Sequence, residues 1–189
     1  MGSPILIIFS DGSISAYGVA AYTRWELRGG GFWSRLIMSK SKLSPKHIVS
    51  INRMELCGAW AGNRIRNFIQ KETNLVFSKV YHLVDSSTVL GYVHKECGVF
   101  GPYEGTRISE IQSSNKFVNG RLEGWAWVPG SENPADWCTK PRTVQNLCGS
   151  KFSNFLTEQI NLREKQRVER ESYVHLLTQQ FLILSLDYS

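Results

Sequence analysis

Residues 5–43, ILIIFSDGSISAYGVAAYTRWELRGGGFWSRLIMSKSKL, contain three apolar segments separated by two turns. Ile5 to Phe9 is a continuous apolar run, rich in β-branched isoleucine, that ends at Ser10-Asp11-Gly12, which is typical of a buried strand followed by a turn. A second strand is predicted from Ser15 to Arg24, and a glycine-rich turn over residues 28–31 leads to a third from Phe32 to Met38. Two successive hairpins of this kind predict three antiparallel strands at the start of the domain.

The next segment is polar and basic and leads into a predicted helix. Residues 39–45 carry Lys40 and Lys42, and Lys46 follows them. Asn52-Arg53-Met54-Glu55 has the form of a capping box, and apolar residues recur at helical spacing after it. The pattern therefore predicts a helix with Glu55 in its first turn.

The rest of the first 150 residues alternates short apolar and helical patterns. Lys79 to Val84 is a predicted strand that ends at Asp85, and residues 88–95 are a predicted helix. Residues 97–105 are predicted as a loop, residues 107–112 as one or two helical turns, and residues 122–128 as a strand. Asn133-Pro134-Ala135-Asp136 has proline where the first turn of a helix tolerates it, so Asp136 is expected to open the last helix.

This order predicts one α/β domain over residues 1–150. Three antiparallel strands come first, shorter parallel strands follow, and helices flank the mixed sheet. From residue 151 the composition changes to a dense run of alternating charge and a short apolar stretch. We predict a charged linker or helical extension over residues 151–189.

Charge and cysteine usage restrict the partners and the compartment. The net charge is +6, and residues 151–189 contribute none of it, because they hold five basic and five acidic residues. A basic body favours a polyanionic partner. No apolar run approaches the length of a membrane span, so no membrane partner is expected. The four cysteines form no C-x-x-C pair, which favours reduced thiols and a cytoplasmic or nuclear location.

Four acidic residues stand at the ends of predicted elements. Asp11 and Asp85 follow apolar strands, and Glu55 and Asp136 open helices. Each of the two strand-end aspartates could merely cap a turn, and Asn52 with Glu55 could be only a capping box. Together, however, they favour one site, because functional groups of α/β sheets gather at strand ends. Carboxylates that converge need cations, and oxygen ligands favour Mg²⁺ or Mn²⁺.

Four short motifs, taken in order along the chain, resemble the signature of ribonuclease H. They are D-G-S at residue 11, N-R-M-E-L at residue 52, V-D-S-S at residue 84 and W-V-P-G-S-E-N-P-A-D at residue 127. Four further stretches resemble, more narrowly, the ribonuclease H region of Bel/Pao-type LTR retrotransposon polyproteins. They are S-A-Y-G-V-A-A-Y, R-L-I-M-S-K-S-K-L-S-P, V-L-G-Y-V and R-I-S-E-I-Q. The resemblance covers residues 4–148.

The resemblance implies an endonuclease that cuts the RNA strand of RNA/DNA hybrids with two Mg²⁺ ions, for which Mn²⁺ is a substitute. It implies metal ligation and catalysis by four carboxylates: Asp11, Glu55, Asp85 and Asp136. Nucleic-acid contacts are expected from Gly12, Ser13, Asn52 and Ser86, and charge adds Lys40 and Lys42. A reverse transcriptase in the parent polyprotein is the expected protein partner.

One departure from the family keeps a second function open. Related enzymes place a histidine in the loop before the last aspartate, and Ser131 occupies that loop here. Serine does not titrate near neutral pH, so a proton step at this position would need another group or water. The alternative is therefore a nucleic-acid-binding module with weak or no catalysis. An integrase-like nuclease ranks last, because those enzymes order their acids D, D, E.

Overall fold

A mixed β-sheet organises the protein in the computed structural model, which describes residues 2–45, 50–95 and 100–140. Within these ranges the strands are β1 (Ile5–Gly12), β2 (Ala16–Glu26), β3 (Phe32–Leu43), β4 (Lys79–Val84), β5 (Phe117–Val118), β6 (Arg121–Leu122) and β7 (Trp125–Trp127). Five of them form one sheet in the order β3-β2-β1-β4-β7, while β5 and β6 form a separate hairpin. The first three strands are antiparallel, and β4 and β7 run parallel to β1. The predicted α/β fold, with antiparallel strands first, is confirmed.

Helices pack on the sheet and connect its parallel strands. They are α1 (Ile51–Glu72), α2 (Ser87–His94) and α3 (Pro102–Ser113), followed by two short 3-10 helices, Gly130–Glu132 and Pro134–Cys138. Among the described residues, no helix has the length and apolar character needed to cross a membrane.

The central strand β1 is apolar from Ile5 to Phe9 because both of its faces are covered. Leu6 and Ile8 pack in a cluster with Ile65 of α1 on one face. Ile7 and Phe9 pack on the opposite face, in a cluster that includes Ala135 of the second 3-10 helix. A continuous apolar strand is therefore required at the centre of the sheet, as the sequence indicates.

Helix α1 lies unusually close to the end of β1. A Cβ atom added at Gly12 would stand 2.3 Å from the backbone nitrogen of Glu55, and one added at Gly58 would stand 2.5 Å from the carbonyl oxygen of Asp11. Backbone therefore meets backbone at this contact, and only glycine fits at either position. The contact sets the distance between the strand that carries Asp11 and the helix that carries Glu55.

The start of α1 differs from the prediction. Ser50 caps the helix, and its hydroxyl accepts a hydrogen bond from the backbone N–H of Arg53. Asn52 is therefore the second residue inside the helix rather than its cap, and Glu55 lies beyond the first turn. The capping-box interpretation is wrong because Ser50, two residues earlier, satisfies the free N–H group.

Other boundaries also differ from those predicted. Strand β3 continues through Lys40 and Lys42 to Leu43, because it pairs with β2 along its whole length. Helix α3 begins at Pro102, inside the predicted loop, with proline in its first turn. The predicted strand over residues 122–128 is divided by Gly124, which has a φ of 76° and lies against the backbone of Val80.

The end of the chain is described only in part. Asp136 lies in a short 3-10 helix rather than at the start of an α-helix, as far as the described residues reach. The predicted extension over residues 151–189, and the last ten residues of the predicted domain, lie outside the described residues.

The contact between α1 and β1 predicts that Gly58→Ala lowers the free energy of unfolding. The new methyl group meets the Asp11 carbonyl, and overpacking of this kind costs about 1–3 kcal/mol. Gly91→Ala in α2 is the matched control, because nothing lies within 4 Å of its added Cβ. The control should be neutral or more stable by up to about 1 kcal/mol, as helix propensity favours alanine. Urea unfolding of both variants tests this, and equal stability changes would contradict it.

Candidate active site

Asp11 lies at the carboxyl end of β1 and is buried. Its carboxylate accepts a hydrogen bond from the hydroxyl of Thr139. The neighbouring Gly12 and the facing Gly58 bring the backbone of α1 onto this strand end. Asp11 is thus held at the bottom of a crevice between the sheet and the start of α1.

Glu55 approaches the same crevice from α1 and is half-buried. Burial raises the pKa of its carboxyl, a hydrogen bond from Ser86 lowers it, and the negative charge of Asp11 raises it further. Ser86 is also the N-cap of α2, where its hydroxyl accepts the backbone N–H of Val89 at 3.3 Å. One serine therefore connects the start of α2 to the carboxylate of Glu55.

Asp85 follows β4, which is the parallel neighbour of β1. Burial and then the charge of Asp11 raise the pKa of Asp85 to about 6, and Glu55 adds a smaller repulsion. Hydrogen bonds from its own backbone N–H and from the side chain of Asn133 act in the opposite direction. The Asp85 carbonyl accepts the indole N–H of Trp127 at 2.9 Å, which fixes the turn after β4.

Asp136 is buried in the second 3-10 helix, and the loop before it is attached to the sheet. Asn133 is 2% exposed; its amide donates to the carbonyl of Ser10 at 2.9 Å, and its side-chain oxygen accepts the N–H of Ala135. Asp136 forms an ion pair with Lys140, whose pKa is raised first by this hydrogen bond and also by the charges of Asp11 and Asp85. Lys140 therefore lies within the electrostatic field of three of the carboxylates.

The structure brings the four predicted carboxylates to one edge of the sheet. Burial and the negative charge of Asp11 raise the pKa of both Glu55 and Asp85, and Lys140 links Asp136 to this group. Within the described ranges, no group of three or more His, Cys, Asp or Glu side chains is already arranged to hold a metal ion. The donor set nevertheless fits a hard divalent cation, because it offers only carboxylate oxygens and its charges repel one another.

Residues predicted to contact nucleic acid have different positions around this crevice. Asn52 is exposed in the first turn of α1. The Ser13 hydroxyl bonds within the β1–β2 turn, accepting the N–H of Ala16 at 3.1 Å, and it donates to the carbonyl of Thr139. Gly12 is buried against α1, so its lack of a side chain serves helix packing. Ser86 is buried beside Glu55.

Lys40 and Lys42 belong to a separate feature, which we call the β3–α1 groove. This cavity of about 520 Å³ lies between strand β3 and helix α1. Both lysines are exposed on β3 and line the groove, together with Arg64 and Phe68 of α1. The structure therefore does not bring the two lysines into the carboxylate crevice, although the adjacent strand β2 connects the two regions.

Sequence reasoning missed three residues that shape the crevice: Asn133, Thr139 and Lys140. Asn133 could have been found, because asparagine before proline is a common start for a helical turn. Thr139 and Lys140 give no such signal, since the Thr139 contact with Asp11 joins residues 128 positions apart. Ser131 is exposed on the first 3-10 helix, in the loop that lies over Asp85.

Comparison with known proteins gives one family match. Residues 2–86 match the family model "Pao retrotransposon-like RNaseH-like domain", a range that includes Asp11, Glu55 and Asp85. No curated protein matches the chain.

Three solved structures are similar to this one. The N-terminal RNase H domain of a Mycobacterium tuberculosis protein, fused to maltose-binding protein, is 17% identical, with 72% of this chain and 91% of that chain covered and a TM-score of 0.48. LC11-RNase H1 in complex with an RNA/DNA hybrid is 13% identical, with 76% and 99% covered and a TM-score of 0.47. RNase H1 from Halobacterium salinarum is 14% identical, with 72% and 94% covered and a TM-score of 0.43.

The family match agrees with the motifs in the sequence and with the order of strands in the sheet. Over residues 2–86, the chain is therefore similar to the Pao retrotransposon-like RNaseH-like domain family.

Proposed function

We propose that this protein is a metal-dependent endonuclease that cleaves the RNA strand of RNA/DNA hybrids. The observation that carries the proposal is the convergence of Asp11, Glu55 and Asp85 at one sheet edge, where the charge of Asp11 raises the pKa of the other two carboxyls. Such repulsion persists in a folded domain only at a cost, which a bound cation would remove. The similarity of residues 2–86 to an RNaseH-like family model supports this reaction class.

The ligands for two Mg²⁺ ions, or for Mn²⁺ in their place, would be Asp11, Glu55, Asp85 and Asp136. When bound, such ions activate water and stabilise the leaving oxygen of a phosphodiester. The chain itself orients the ligands: Asn133 donates to Asp85, Ser86 donates to Glu55, and Thr139 donates to Asp11. Lys140 adds a fixed positive charge beside Asp136, which would also attract a phosphate group.

The hybrid would lie across the crevice at the carboxyl ends of β1 and β4. Ser13 and Asn52 would contact its backbone next to Asp11 and Glu55, while Gly12 would allow close approach and Ser86 would act through Glu55. Recognition of shape and 2′-hydroxyl groups fits this arrangement, because no base-specific element is needed. We further propose a reverse transcriptase of the parent polyprotein as partner, and a cytoplasmic or nuclear location.

A second candidate function is a nucleic-acid-binding module with weak or no catalysis. Two observations favour it: Ser131 stands where relatives place a titratable histidine, and Lys140 and Thr139 already engage two of the four carboxylates. Both functions predict that the protein binds the hybrid, so only a test of hybrid cleavage distinguishes them.

The nuclease proposal predicts that Asp11→Asn abolishes hybrid cleavage and leaves the fold intact. The amide can still accept the Thr139 hydroxyl, but it lacks the charge that a metal ion needs. Millimolar Mg²⁺ should raise the melting temperature of the wild type through linkage and have a smaller effect on the variant. Cleavage of a labelled hybrid, with and without EDTA, and thermal melting test both points.

Glu123→Gln is the matched control, because this exposed carboxylate is remote from the crevice. It should retain both cleavage and the effect of Mg²⁺. Cleavage by Asp11→Asn at near the wild-type rate would show that this residue does not hold an essential metal. Binding of hybrid by the wild type without any cleavage would favour the binding module.

A further prediction concerns pH in metal-free buffer. The pKa of Asp85 rises from 3.8 to about 6 in the folded protein, so between these values the folded state binds more protons than the unfolded state. Stability contributed by this group is therefore present below pH 4 and is lost as the pH rises to 6. Relative to Asp85→Asn, the wild type should lose free energy of unfolding across this window, as measured by urea unfolding in EDTA. A constant difference between the two proteins would contradict the raised pKa.

The loop that carries Ser131 predicts a gain of turnover in Ser131→His. A Cβ added at the adjacent Gly130 would lie 3.2 Å from the Asp85 carboxylate, so a longer side chain at 131 can reach the crevice. General acid–base assistance is worth about 10²- to 10⁴-fold in optimised sites, and we expect about a several-fold gain in this unoptimised loop. Single-turnover and steady-state rates test it, with Ser131→Ala as the control. Unchanged rates would show that Ser131 does not limit turnover.

A further inference from the structure

The β3–α1 groove is a basic cavity outside the carboxylate crevice. Lys40 and Lys42 of β3 and Arg64 of α1 line it, and among the described residues no aspartate or glutamate does. Glu110 pairs with Arg64 from outside the lining, so Lys40 and Lys42 supply the net positive charge that attracts anions. This charge distinguishes it from the crevice, where carboxylates dominate.

The cations form an ordered row rather than a random surface group. Lys40 and Lys42 are two residues apart on one strand, so both side chains face α1 with a spacing of about 7 Å. Arg64 is held in place by Glu110 at 2.7 Å, and its guanidinium lies over the Trp60 ring at 4.2 Å. The Trp60 ring is itself fixed by its N–H bond to Glu110.

The groove also contains aromatic surface that solvent reaches. Phe68 of α1 is 51% exposed, although it lines a cavity, and Tyr17 of β2 lines the same cavity and is half-buried. An exposed phenylalanine at the wall of a basic groove presents a flat apolar face on which another ring can stack. Nucleic-acid bases offer such faces, whereas the carboxylates of an acidic peptide do not.

The groove is close to the end of the strand that carries Asp11. Tyr17 pairs with Gly12 across β1 and with Lys42 across β3. Two strand spacings, about 10 Å, therefore separate Gly12 from Lys42. A strand of nucleic acid in the groove would be continuous with one that crosses the crevice.

We propose that the β3–α1 groove binds single-stranded nucleic acid, with phosphates on Lys40, Lys42 and Arg64 and bases stacked on Phe68 and Tyr17. A single strand fits because its bases are free to stack, which those of a duplex are not. The proposal goes beyond hybrid cleavage, since binding here requires neither a metal ion nor the carboxylates. It gives the domain a second site of contact with nucleic acid, for a strand that extends out of the crevice.

The test uses the full chain in EDTA and a labelled oligothymidylate of roughly 12 nucleotides. Fluorescence anisotropy over a series of salt concentrations gives the slope of log K against log salt. Each single-strand phosphate contact contributes about 0.7 to this slope, so Lys40→Gln with Lys42→Gln should lower it by about 1.4. The matched control is Lys79→Gln with Lys116→Gln, which removes the same charge from a different cavity, at the start of β4, and should leave the slope unchanged.

A second pair of variants tests stacking. Phe68→Ala should weaken binding at least about fivefold, and Phe68→Tyr should retain it, because any aromatic face can stack. Both changes lie on an exposed part of α1, and circular dichroism verifies the fold.

Several outcomes would overturn the proposal. Equal slopes for the two double variants would mean that net charge alone acts, and no binding by the wild type would remove the site. Displacement of the oligonucleotide by polyglutamate at equal charge concentration would identify an acidic peptide as the occupant. Asp11→Asn should bind the oligonucleotide as tightly as the wild type does. Binding in the groove can therefore be tested even if the protein does not cleave the hybrid.

Discussion

The contact of α1 on the end of β1 is the constraint on which the rest of the structure depends. Gly12 and Gly58 let two backbones meet, and this sets the distance from Asp11 on the strand to Glu55 on the helix. The same helix forms one wall of the β3–α1 groove through Arg64 and Phe68. A shift of α1 would therefore change the crevice and the groove together.

Much of the fold could be predicted because the spacing of apolar residues along a strand or helix is a local property of the sequence. The strand limits of β4 agree with the prediction, and the apolar run of β1 indicates a strand that is covered on both faces. The errors arose where tertiary pairing decides the boundary. Strand β3 extends through residues 39–43 because β2 pairs with them. The pattern of apolar residues in this segment does not indicate that pairing.

The candidate site shows the same division. Asp11 and Asp85 were predictable, since each follows an apolar strand and parallel strands end at one edge. Thr139 was not, because its contact with Asp11 joins distant parts of the chain; Lys140 pairs locally with Asp136, but its closeness to Asp11 and Asp85 depends on the fold. The placement of Lys40 and Lys42 in a separate groove also depends on the register of β3, which the sequence does not reveal.

Among the described residues, four separate segments supply the crevice, and the last of them carries Asp136, Thr139 and Lys140. The Thr139 hydroxyl reaches Asp11 across 128 positions, and Asn133 reaches Ser10 across 123. During synthesis the amino-terminal strands leave the ribosome first, before Asn133 and Thr139 have been synthesised. A nascent chain can therefore pair its first hairpins but cannot assemble the crevice until the loop around Asp136 has emerged. Any chemistry that this site performs therefore begins only after that loop has left the ribosome.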